Sequence, residues 1–275
     1  MTVSRYSSGD RIADRRADYA AMLWDMGDRH AAIDLLVDAL ALAPGWAPGW
    51  FRLGEMREET GDLAGAAGAW TEALRLDPPD RMGASLKLGL IGAAQGIEAA
   101  PAAFVEALFD QYADRFDVSL VEKLGYRVPK AEAKRFYDRL DRVDLCFMEA
   151  GARRADLVVA ADVLIYLGAL DRIVSVVADM LKPDGLFAFS VELHDGPEPM
   201  VLRPSRRFAH APHHLRALLT RYGLDLVFVE ETALRRDRDE AVSGLIVVAR
   251  RTAVAGAAEM LDDPHAIELT RRAVR

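Results

Sequence analysis

Five residue pairs in the first third of the chain stand 34 positions apart: Gly27 and Gly61, Ala32 and Ala66, Leu36 and Trp70, Ala39 and Ala73, and Pro44 and Pro78. A fixed period of this length marks a unit too small to bury its own apolar face, which must stack on copies of itself. The second unit carries the fuller pattern, with Trp50, Leu53, Gly54, Gly61, Ala66, Trp70, Ala73 and Pro78 in order. Trp50 and Trp70 are large enough to fill the groove between paired helices. Gly54 and Ala66 are small enough to let the helices approach. Gly61-Asp62 suits the turn between them, and Pro78 ends the second helix because it cannot continue one. In the first unit Arg16 replaces the early aromatic, while Tyr19, Ala20 and Leu23 keep an apolar stripe. A third, degenerate unit is expected from about Met82. Its Leu88-Gly89 echoes Leu53-Gly54 after one inserted residue at Pro78-Pro79, and its second helix is predicted over residues 101–112, as befits a cap.

Period and residue order resemble tetratricopeptide repeats over residues 12–112. The resemblance implies a surface for a protein partner or for self-association, or else a helical prop for the next domain of the chain. Composition narrows the partners. The formal charge of −8 argues against nucleic acid, whose phosphates require a basic face. The single cysteine, Cys146, excludes an intramolecular disulfide and a cysteine-based zinc cluster. The first ten residues are polar, and no apolar run reaches the roughly 18 residues of a membrane span. The expectation is a soluble, cytoplasmic protein without a membrane partner.

From about Arg153 the pattern changes. Residues 155–161 form a continuous apolar run suited to a strand buried on both faces of a parallel sheet. Leu170, Ile173, Val174, Val177 and Leu181 share one face of a predicted helix. Lys182-Pro183-Asp184-Gly185 reads as a turn, residues 186–191 as a strand, residues 213–222 as a helix closed by Gly223, and residues 224–230 and 245–249 as an antiparallel strand pair. The fold class expected is all-α repeats followed by an α/β, doubly wound, mostly parallel sheet with an antiparallel edge strand.

Residues 156–167, the Leu181-Lys-Pro-Asp-Gly185-Leu-Phe187 segment and the terminal strand pair resemble the second half of a class I S-adenosylmethionine-dependent methyltransferase. Residues 116–129, with Leu120, Lys123, Leu124, Gly125 and Tyr126, resemble the lead-in of a bacterial subgroup that carries tetratricopeptide repeats in front of the methyltransferase domain. The resemblance implies S-adenosylmethionine as cofactor, an unspecified small-molecule or protein acceptor, and a division into residues 1–11 (tail), 12–112 (repeats), 113–251 (methyltransferase-like) and 252–275 (extension). It also exposes an omission. The family holds its cofactor on a glycine-rich turn after the first strand and an acidic residue after the second, and neither is here. Family-like sequence stops near Pro129 and resumes at residues 133–137, so roughly 50–70 residues are missing by domain size. A stretch left out of the sequence, a genuine deletion and a degenerate homologue kept for another role all account for this. If the deletion is real, cofactor binding and stability should both be poor. A non-catalytic interaction protein is then the alternative function. A nucleotide-dependent oxidoreductase on the same sheet type is disfavoured by the antiparallel terminal strands.

Several residues are candidates for the site. By family position Asp144, with Leu145 beside it, would accept a hydrogen bond from the adenine amino group; otherwise it is a solvated aspartate ending a strand at residues 143–145. Ala160 is small enough to form a wall against the cofactor, and Tyr126 would close over it or pack between domains. Asp162 and Tyr166 follow the carboxyl end of a strand, where open α/β sheets bind ligands. Asp162 would orient or deprotonate a nucleophile, or simply cap a helix. His210 resembles a position facing the substrate, as a base or a contact, against the plainer reading of a polar loop. His194, His210, His213 and His214 lack the carboxylate or cysteine pattern of a metal site.

Overall fold

A computed structural model describes residues 7–110, 138, 141–152, 154–237 and 240–252. Tyr126 and the junction between residues 129 and 134 lie outside the described residues.

The first part is a stack of helix hairpins: α1 (Arg11–Asp25) with α2 (Arg29–Leu42), and α3 (Ala47–Glu59) with α4 (Leu63–Leu76). The sequence period reappears as repeated local chemistry. Gly27 and Gly61 adopt left-handed φ values of 91° and 86° at the two hairpin turns. The next residue in each, Asp28 and Asp62, caps the following helix by accepting from the N–H of Ala31 and Gly65. Trp70 is fully buried against Phe51, Ala66 and Ala73, and its indole N–H donates to the Phe51 carbonyl at 3.2 Å. The third unit is cut short. Helix α5 (Ala84–Leu90) has 7 residues, and non-helical chain separates it from the helical residues 102–110.

The second part is mixed α/β. Strand β1 (Ala155–Ala160) leads through a 3₁₀ turn (Leu164–Tyr166) to α6 (Asp171–Met180). Then come β2 (Leu181–Leu193), β3 (Met200–Leu202), β4 (Phe208–His210), α7 (Pro212–Arg221), β5 (Leu224–Asp237) and β6 (Glu240–Arg251). The sheet is ordered β3-β4-β2-β6-β5, with β1 also on β2. β1 and β4 lie parallel to β2, whereas β6 lies antiparallel to both β2 and β5. The alternating residues Phe187, Phe189, Val191, Leu193, Leu245, Val247 and Ala249 turn one face of the sheet towards Ile173, Val174 and Val177 of α6 and Leu215, Leu218 and Leu219 of α7.

Five expectations need correction. Strand β1 is not buried on both faces: Val158 and Ala160 pack on the core, while Leu157 and Val159 on the other face are exposed. The described sheet is mostly antiparallel, because the long β5–β6 hairpin and the β3–β4 pair outweigh the short parallel ladders. The reversed strand is β6, set between β2 and β5, so the edge strand β5 runs the same way as β1 and β2. The Lys182–Gly185 segment is not a free turn. It loops out within β2 opposite Asp156, with Asp184 in the left-handed region (φ 62°) and the Lys182 ammonium on both Asp156 carboxylate oxygens at 2.9 and 2.8 Å. Residues 143–145 form no strand: Asp144 instead accepts from the Cys146 N–H at 2.9 Å and closes a turn.

The two parts interlock. Leu86, Ala100 and Phe104 pack on Ile165, Tyr166 and Phe208. Ala100 N–H donates to the Tyr166 carbonyl at 2.8 Å, Gly168 N–H to Glu98 at 2.7 Å, and the Arg206 guanidinium to the Met82 carbonyl at 2.9 Å.

Candidate ligand site at the carboxyl ends of β1 and β2

Two residues past the end of β1, Asp162 sits at φ 55°, a region that non-glycine residues seldom occupy. Its own N–H donates to Ser190 Oγ on β2 at 2.9 Å, which ties the turn to the neighbouring strand. The bend leaves the Asp162 side chain 62% exposed, with one carboxylate oxygen 3.3 Å from Arg235 Nη1.

The other nitrogen of that guanidinium, Nη2, pairs with Glu192 Oε1. The Glu192 side chain is 1% exposed, near the end of β2, and its second oxygen lies 3.7 Å from Arg203 Nε. Arg203 also donates to the Leu193 carbonyl at 2.6 Å. Arg235 therefore joins an exposed carboxylate to a buried one. A buried carboxylate persists only when paired in this way, since desolvating a lone charge costs several kcal/mol.

Tyr166 lies buried in the 3₁₀ turn beside this group. Burial raises its phenol pKa, against the pull of the Arg207 and Arg235 guanidinium groups, so the hydroxyl keeps its proton at neutral pH. His210, at the end of β4, is fully enclosed. Its Nε2 stands 3.1 Å from the Gly168 carbonyl, so Nε2 carries the proton, and Nδ1 has no hydrogen-bond partner among the described residues. Burial lowers its pKa to about 4, only partly offset by the Gly168 and Leu167 carbonyls, and the ring is neutral at pH 7.

The structure thus brings Asp162 and Tyr166 together and places His210 in the wall behind them. Ala160 and Leu145 pack half-buried against the main apolar core, and Asp144 is engaged in its own turn. Glu192, Arg203, Arg207 and Arg235 were not foreseen. Glu192 had a signal, as a lone charge in the apolar run Leu186–Leu193. Arg235 had none, because it reaches Glu192 only through the β5–β6 hairpin.

Glycines that would cradle a cofactor are not found here. Nowhere in the chain do two glycines stand two positions apart. The glycines flanking the site are filled behind: a Cβ on Gly168 would strike Met200 and Phe208, and one on Gly244, paired with Glu192 across β2 and β6, the Leu234 side chain and the Val191 carbonyl. Among the described residues no cluster of His, Cys, Asp or Glu could hold a metal, and no helix is long and apolar enough to cross a membrane.

No family model matches the sequence, and no curated protein matches it. Several solved structures are similar in part. A SAM-dependent methyltransferase from Methanosarcina mazei is 15% identical with a TM-score of 0.35, over 46% of this chain and 77% of that one. The 1,6-didemethyltoxoflavin N1-methyltransferase of Burkholderia thailandensis, solved with bound 1,6-didemethyltoxoflavin and S-adenosylhomocysteine, is 20% identical with a TM-score of 0.37, over 46% and 56%. The N-methyltransferase NodS of Bradyrhizobium japonicum, solved with S-adenosylhomocysteine, is 20% identical with a TM-score of 0.35, over 45% and 60%. The chain spans less than two thirds of the length of these last two.

Proposed function

We propose that this chain is a protein of the S-adenosylmethionine-dependent methyltransferase type, set behind tetratricopeptide-like repeats, in which the acceptor side of the site is built and the cofactor side is deficient. The observation that carries the reading is the constellation at the strand ends: Asp162 held in a left-handed conformation, bridged by Arg235 to buried Glu192, with Tyr166 beside it. Ligands of open α/β sheets bind outside the carboxyl ends of the strands. The sequence resemblance over residues 156–167 and 181–187 and the terminal antiparallel strands agrees with this type.

The chain's own residues would act on the acceptor. The exposed Asp162 carboxylate would accept a hydrogen bond from a hydroxyl or amine and hold or take its proton. The protonated Tyr166 hydroxyl would donate to an acceptor oxygen. Enclosed His210 would act by packing. S-adenosylmethionine would supply an electrophilic methyl group, but the described residues do not fit it. The methionine portion needs close backbone approach, and no glycine here offers it.

Calorimetric titration with S-adenosylmethionine tests this. The expected dissociation constant is about 1 mM or weaker; a micromolar value would refute the deficient cofactor side. A second reading, a non-catalytic interaction protein, is favoured by the sheet face opposite α6 and α7. Leu157, Val159, Phe228 and Ile246 are exposed there, where a complete doubly wound sheet would be covered. Transfer of labelled methyl from S-adenosylmethionine to any acceptor would rule that reading out.

A further inference from the structure

The first helix of the stack leaves bare the face that its repeat counterpart buries. Ile12, Tyr19 and Met22 of α1 stand 34 positions before Trp46, Leu53 and Met56. Those three pack on the preceding hairpin, and Leu53 and Met56 are each 1% exposed. In α1, Tyr19 and Met22 are 58% and 56% exposed, and exposed Ile12 and Met26 extend the stripe over about four turns. Single exposed apolar residues need no explanation, but a stripe in register with a buried one does. It is a surface shaped for a helix. A shallow groove runs beside it, lined by Ile12, Arg15, Arg16, Tyr19 and Leu35.

The other end of the stack is closed. Trp70 and Ala73 of α4 pack on Ala84 and Leu88 of α5, and Leu86 of α5 packs with Ile165, Tyr166 and Phe208 of the α/β part. A head-to-tail array of chains therefore lacks a matching face among the described residues. A like-with-like contact through α1 needs none and closes on a two-fold axis.

Charge sets its direction. Residues 11–16 carry Arg11, Arg15 and Arg16 against Asp14, while residues 17–26 carry Asp18 and Asp25. Antiparallel pairing lays the basic half of each helix over the acidic half of the other. Parallel pairing opposes like charges.

We propose that α1 is a dimer interface, on which Ile12, Tyr19, Met22 and Met26 pack antiparallel against the same stripe of a second copy.

Sedimentation equilibrium on the full chain tests this. Wild type is expected to be dimeric. Tyr19→Glu with Met22→Glu should weaken dimerisation roughly tenfold or more, with the far-UV circular dichroism unchanged. Two charge-reversed variants give an arm independent of the apolar stripe. Arg11→Asp with Arg15→Asp, and Asp18→Arg with Asp25→Arg, should each dimerise less well alone, and mixing them should restore the dimer. A wild-type monomer at about 0.1 mM overturns the proposal, including one whose Tyr19 is shielded by another segment of its own chain. Assembly beyond a dimer overturns it too. So does a dimer that survives Tyr19→Glu with Met22→Glu, or a failure of the mixed variants to pair.

Discussion

Asp162 keeps a backbone conformation that costs a non-glycine residue about 1–2 kcal/mol, and glycine would relieve it. Its carboxylate is largely exposed, so the ion pair with Arg235 is screened by solvent and returns little of that cost. The role proposed for Asp162 rests on its carboxylate alone, so glycine separates the two effects. Asp162→Gly should unfold in urea at the same or a higher midpoint while losing affinity for any acceptor. A loss of more than about 1 kcal/mol would show that the residue is structural. Glu192 is the opposite case. Glu192→Ala strands the charge of Arg235 and should cost about 3–5 kcal/mol in the same assay, far more than Glu192→Gln. His210 adds a pH dependence. Its pKa is about 4 when folded and near 6.5 when unfolded, so the unfolded chain binds the proton first. Stability is then full above pH 6.5 and falls by about 3 kcal/mol as the pH drops to 4. Replacing His210 with Gln should flatten that slope in urea titrations across the range, and an unchanged slope would assign it to other groups.

Between helices, the small-large complement is tight. A Cβ on Gly54 would lie 2.2 Å from the Trp70 indole nitrogen, which is itself held on the Phe51 carbonyl. Gly54→Ala should cost about 1–3 kcal/mol despite its better helix propensity, with the midpoint of chemical unfolding as the measure. This complement was legible because both partners lie within one repeat, and period and side-chain volume state it directly. The strands were legible in part. Runs such as residues 155–161 identify a strand by composition but misstate its burial, because nothing in the run tells that one face stays open. The family resemblance misplaced a strand at residues 143–145, where Asp144 instead finds its partner two residues on. The Lys182–Gly185 turn was misjudged because what makes it a bulge is Asp156 on the neighbouring strand. The site divides along the same line. Asp162 and Tyr166 follow from their place after β1, whereas the pairing of Arg235 with Glu192 depends on sheet order and leaves no local mark.

At the scale of the molecule, the helical stack and the sheet meet through the loop from Glu98 to Ala100, the 3₁₀ turn and β4, so the wall that encloses His210 also joins the two parts. The helical stack thus backs the wall behind Asp162 and Tyr166. The carboxyl ends of β1 and β2 carry paired acid and guanidinium groups with the Tyr166 phenol near them, without a glycine cradle beside them. That pairing of a built acceptor side with a deficient cofactor side is tested most directly by isothermal titration of the full chain with S-adenosylmethionine. A dissociation constant of about 1 mM or weaker is predicted, and binding in the micromolar range would contradict it.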